Sequence, residues 1–176
     1  MLLYPNYRIL KLYIKSKLIT KIDMLDTSSI NMRVSLLDID PFMEMNNGRY
    51  LTIMDVGRIN HGFRTGFNDD VVKYRLGFAV AASSIKYRHR LPIWKKFKMS
   101  SKIIGIDSKW FYWHHEFNSD DKITTAAVVR TGVLFKSKLI KTNDLEQLIG
   151  KEIKKIEVPE RVCAWIEADK LVPNIG

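Results

Sequence analysis

Cysteine is nearly absent: Cys163 stands alone in 176 residues. An internal disulfide is therefore excluded, which suits the reducing cytoplasm. No histidine lies near Cys163 in sequence, and it reads as a small packing residue rather than a nucleophile. Long apolar runs are missing as well. The N-terminal stretch MLLYPNYRILKLYIKSKLITKI is broken by Arg8, Lys11, Lys15 and Lys17 into patches far shorter than the roughly 20 residues of a membrane span. No small-residue cleavage site follows it, so a secretory signal is not expected. There is no internal repeat and no low-complexity segment. Gly62 and Gly66 lack the Lys-Ser/Thr that would complete a phosphate loop. Acidic residues are in deficit, 19 against 29 lysines and arginines, for a net charge of +10. A basic surface concentrates anions, whether nucleic acid, acidic lipid or a phosphorylated cofactor, and charge alone does not choose among them.

What is present is an ordinary globular composition, 46% hydrophobic and 27% charged, at a length that suits one domain. Residues 1–30 read as a basic amphipathic segment whose helix packs on the domain or touches a membrane surface weakly. Residues 31–140 form the main domain, and 141–176 a helical extension, helical near Asn143 to Ile153, with a loose tail around Pro159 and Pro173. In INMRVSLLDID, Met32, Val34 and Leu36 alternate with Arg33 and Ser35, which predicts a strand ended by Asp40-Pro41. Asn46 or Asn47 then caps a helix from Gly48 to about Gly66. After a connecting segment, FAVAASSIKYRHRL, FKMSSKIIGID, KWFYWHHEF and DKITTAAVVRTGVLFKS predict four consecutive strands, with a hairpin turn at Gly105–Ser108. A strand, a long helix and four hairpin-linked strands make an α+β fold in which an antiparallel sheet curls around a central helix, the hotdog architecture.

Four pieces, DIDPFMEMNNGRYL, MDVGR, IKYRHRL and GIDSKWFYWHHEF, carry a resemblance. In type and spacing they resemble the hotdog-fold acyl-CoA thioesterases of the 4-hydroxybenzoyl-CoA thioesterase-like branch, over roughly Asn31 to Ser137. The resemblance implies hydrolysis of an acyl-CoA or related acyl thioester, with coenzyme A as part of the substrate, no separate cofactor and no metal. It further implies a homodimer or dimer of dimers, with active sites at the subunit interface. No nucleic-acid partner is expected, since no basic run is interleaved with solvent-facing aromatics.

Thioester hydrolysis needs a polarised carbonyl, an activated water or carboxylate, and a grip on the thiol half. The free N–H groups of Asn47 and Gly48 at the helix start are candidate oxyanion donors. Asp40 matches the branch's catalytic carboxylate and is a candidate nucleophile or general base, the alternative being a turn cap. Asn46 orients a water or carbonyl, or caps the helix. Glu44 stands where the branch usually carries histidine, so it acts as the base, slows the reaction, or leaves a module that only binds acyl thioesters. Asp38 shares a strand face with Asp40 in this reading, either raising one pKa or facing solvent. Asp55 reads as a structural acid on the central helix. Arg88, His89 and Arg90, with Lys73, Arg75, Lys95 and Lys96 behind them, are candidates for the coenzyme A phosphates or a solvated strand end. His114 and His115 alternate across a strand and cannot share a metal, while His61 reads as packing or interface.

Overall fold

The computed structural model describes residues 5–170. In chain order the elements are α1 (Asn6–Ser16), β1 (Ser28–Arg33), α2 (Asn47–Thr65), α3 (Phe67–Tyr74), β2 (Gly77–Tyr87), β3 (Lys96–Ile106), β4 (Phe111–Ser119), β5 (Lys122–Phe135), β6 (Lys138–Leu139), α4 (Thr142–Ile149) and α5 (Glu160–Asp169). The strands form one antiparallel sheet in the order β1-β3-β4-β5-β2, with β6 paired to β5. The sheet curls around α2, which is the hotdog arrangement expected from the order of elements.

α2 starts where the sequence signals it. The Asn46 side chain accepts the Gly48 N–H at 2.9 Å, and Gly66 ends the helix with φ +81°, a left-handed conformation that glycine adopts without a Cβ clash. Tyr50, Ile53, Met54 and Val56 are buried in the core with Phe97, Met99, Ile103, Phe117 and Val129 of the sheet. Gly57 lets the helix approach β3 closely: a Cβ there would stand 2.2 Å from Met99 Cε and 2.6 Å from Ser101 Oγ.

Several expectations need correction. The first strand stops at Arg33 rather than running to Asp40. Asp38 turns the chain back instead, its carboxylate accepting both the backbone N–H (2.8 Å) and the hydroxyl (2.7 Å) of Ser35. Asp38 is therefore neither a solvent-facing acid nor a strand-face partner of Asp40. It is fully buried against Arg8 of α1 at 2.6 Å. The segment after Gly66 forms α3, and Pro159 sits at the N-cap of α5 rather than in a loose tail. Cys163 lies exposed on α5 and is not a packing residue. Pro173 lies outside the described residues. Among the described residues no helix is long and apolar enough to cross a membrane.

Candidate active site

The segment between β1 and α2 closes on itself. Ile39 bridges Met45, the Asp40 N–H donates to the Glu44 carbonyl at 2.9 Å, and the Met43 N–H donates back to the Asp40 carbonyl at 3.0 Å. Met43 takes φ +60° to make this turn. Glu44 bridges Pro92, and the Met45 N–H reaches the Leu91 carbonyl at 2.8 Å, so the loop is tied to the segment before β3. The Asn46 N–H reaches the Asp38 carbonyl at 2.8 Å, which delivers the chain to the start of α2. Asp40, Glu44, Asn46, Asn47 and Gly48 all lie on this loop and the first turn of α2.

Their individual bonds are more specific. One Asp40 oxygen accepts the Phe42 N–H at 2.9 Å, an Asx turn that stiffens the loop. Gly48 N–H is taken by the Asn46 cap, whereas the Asn47 N–H makes no hydrogen bond among the described residues. Of the two expected oxyanion donors, only Asn47 is open to an incoming carbonyl. Tyr87, at the end of β2, donates to the Asn47 carbonyl at 3.3 Å and packs edge-on to Tyr50, ring centroids 5.1 Å apart. Burial raises the pKa of both tyrosines, which keeps their hydroxyls protonated beside the helix start. The sequence reading missed this pair, although IKYRHRL contains Tyr87.

Arg90 reaches Glu44 at 3.8 Å, a long ion pair on an exposed arginine that contributes little to stability but places a cation at the site. Arg88 and His89 share the Thr124 carbonyl through their backbone N–H groups, at 2.8 and 3.0 Å, and keep their side chains exposed. Lys95 is paired with Asp120, and Lys73 and Arg75 lie on α3 and its cap. No three His, Cys, Asp or Glu side chains among the described residues are placed to hold a metal ion.

Further along α2 lies a cavity of about 360 Å³ that the sequence did not signal. Its walls are mainly apolar, with Ile59, Phe67, Phe78, Val80, Phe111 and Trp113 among them. Asp55 and Arg58 also line it, and Arg58 bonds Asp55 on one side and His115 Nε2 at 2.9 Å on the other. His115 is completed by Ser101 Oγ at 3.0 Å from Nδ1, and its full burial holds its pKa well below the usual histidine value. Asp55 is accordingly the partner of a largely buried guanidinium, as a structural acid should be. His61 is a packed residue, bonded to Ser28 and the Met24 carbonyl and edge-on to Trp113.

A curled antiparallel sheet around one long helix, with a carboxylate-bearing loop feeding that helix, defines the hotdog thioesterase-like class. The chain belongs to the thioesterase-like superfamily, whose sequence profile matches residues 34–166. It is similar to Protein THEM6 of Drosophila melanogaster, 31% identical over 150 residues that cover 83% of this chain and 75% of the relative. Among solved structures it resembles a probable thioesterase from Bartonella henselae, with a TM-score of 0.61 and 20% identity over 66% of this chain and 98% of that one. It also resembles SAV2348 from Staphylococcus aureus, solved in complex with CoA, with a TM-score of 0.57 and 14% identity over 81% and 96% of the two chains.

Proposed function

We propose that the protein hydrolyses an acyl-CoA, or a related acyl thioester, to the free acid and thiol. The observation that supports this reading is the loop that closes on itself between Asp40 and Glu44 and leads directly into α2, where the Asn47 N–H makes no hydrogen bond among the described residues. The thioester carbonyl accepts from that N–H, where the positive end of the helix stabilises the developing oxyanion. Asp40, with one oxygen engaged by Phe42 and the other available, acts as nucleophile or draws a proton from the attacking water. Glu44 takes the neighbouring position and is paired with Arg90, which together with Arg88 and His89 meets the coenzyme A phosphates.

The working unit in this reading is a dimer. β2 is an edge strand of eleven residues, none of them buried. A long unpaired edge of this kind needs cover, and a second β2 supplies it by antiparallel pairing. Such pairing sets the Phe78–Val80 end of one strand against the Tyr87 end of the other. The cavity beside Asp55 in one protomer then adjoins the helix start of its partner, and the acyl group lies in that cavity. Within one chain the two are about 12 Å apart along α2.

A second reading, a module that binds acyl thioesters without turning them over, draws on one observation, that Gly48's N–H is engaged by Asn46, and on the resemblance, which implies a histidine where this chain has Glu44. One experiment separates the two. Thiol release is followed across short, long and aromatic acyl-CoAs, alongside calorimetric binding. Turnover of at least one ester, reduced in Glu44→Gln, supports hydrolysis. Binding without thiol release supports the second reading, and neither binding nor release contradicts both.

A further inference from the structure

One face of α1 leaves its apolar side chains exposed. The helix turns Arg8 inward and packs Ile9 and Leu12 against the core. At 3.6 residues per turn the opposite face carries Leu10 and Ile14, followed by Leu18 just past the cap. These three are 60%, 58% and 85% exposed. A surface helix ordinarily turns charged or polar residues outward, so an apolar outer stripe calls for a partner. Exposed Lys11, Lys15 and Lys17 border the stripe, and no acidic residue precedes Asp23 in the chain. A second apolar patch is fastened to the same helix. Arg8 bonds both Ser35 (3.3 Å) and Asp38 (2.6 Å), the two ends of a turn whose middle residues, Leu36 and Leu37, are exposed.

We propose that the outer face of α1 is a docking surface for an anionic lipid bilayer. Aliphatic side chains flanked by lysines match a layer in which phosphate-bearing headgroups cover hydrocarbon. A second copy of the chain fits less well, because a two-fold contact on this face sets lysine against lysine. A nucleic acid would satisfy the lysines and leave the leucines in water. The helix lies along the surface rather than through it, consistent with its length and with the absence of a spanning helix among the described residues. The Arg8–Asp38 pair ties this face to the segment that leads into the Asp40–Glu44 loop, so a docked helix carries the candidate site with it.

The test is co-sedimentation of the full chain with phosphatidylcholine vesicles, with and without about one-third phosphatidylserine. Binding to the anionic vesicles is expected to weaken with added salt and to be much weaker on phosphatidylcholine alone. Lys11→Glu with Lys15→Glu lowers the partition coefficient by more than the roughly fivefold per lost charge expected near an anionic surface. Leu10→Ser with Ile14→Ser lowers it by about tenfold or more through lost apolar burial. Leu18→Ser, beyond the helix end, gives the same direction of change should the helical pair unfold. No binding to anionic vesicles overturns the proposal, as does binding unchanged by all the leucine and isoleucine variants. It is overturned equally if those variants alter the sedimentation-velocity mass instead, which would assign the face to a second copy.

Discussion

Arg8 Nη2 and an Asp38 carboxylate oxygen meet at 2.6 Å, with residue exposures of 7% and 0%. The pair joins a helix near the N-terminus to the turn that leads into the Asp40–Glu44 loop. Breaking one half of a buried pair strands the other charge, so Arg8→Met and Asp38→Ala each destabilise the fold by about 3–5 kcal/mol. Removing both partners together costs less than the sum of the two. Chemical denaturation of the two single variants and the double variant checks this. Additive losses would mean that the two residues act independently.

Stability should fall on mild acidification. His115 and His61 are held below the ordinary histidine pKa by burial, so in the folded chain both stay neutral where the unfolded chain titrates near 6.5. Below about pH 6.5 the unfolded state binds protons that the folded state does not, and that linkage removes stability as pH falls. The slope is at most about 1.4 kcal/mol per pH unit for each histidine. Urea midpoints between about pH 8 and about pH 5 measure it. His115→Gln flattens part of the curve, and a wild-type midpoint that does not fall over this range would contradict the assignment.

The β2 edge gives a third expectation. Phe78 and Val80 are both exposed on a strand with no neighbouring strand on its outer side among the described residues. Sedimentation equilibrium should return twice the protomer mass of 20.5 kDa, or a higher multiple of that dimer. Val80→Lys, which sets like charges near the pairing strand, shifts the protein toward monomer. A wild-type monomer at micromolar concentration would rule out β2 pairing as the basis of the working unit.

Much of this fold is legible in the sequence because its signals are local. Asn46 caps α2 and Gly66 stops it through bonds and dihedrals within a few residues, so pattern reading places that helix within a residue at each end. The aromatic and β-branched runs mark β3, β4 and β5 for the same reason. The role of Asp38 is not legible in the same way, because its partner Arg8 lies thirty positions away and alternation along a strand carries no information about such a contact. Met32, Val34 and Leu36 alternate as a strand would, yet Asp38 bends the chain at Ser35 before the pattern is complete. The candidate site residues stand together as a motif in the sequence, whereas their bonding does not show there. Asn46 engages Gly48 and leaves Asn47 open, a distinction of one residue that only the cap geometry makes. The Tyr50–Tyr87 contact and the Arg58–His115–Ser101 chain join separate elements, and no spacing rule reports them.

In the proposed reaction the Asp40 carboxylate acts on the thioester, and Asp40→Asn removes that carboxylate alone. Asparagine keeps an oxygen to accept the Phe42 N–H, so the Asx turn and the melting temperature are expected to survive. The carboxylate is lost, and with it the nucleophile or base. The measurement is kcat for thiol release from the best acyl-CoA, wild type against Asp40→Asn, on protein shown to be folded. A fall of about 10²–10⁴-fold with the fold intact is the predicted result. An unchanged kcat would contradict the account and assign the chemistry to another residue.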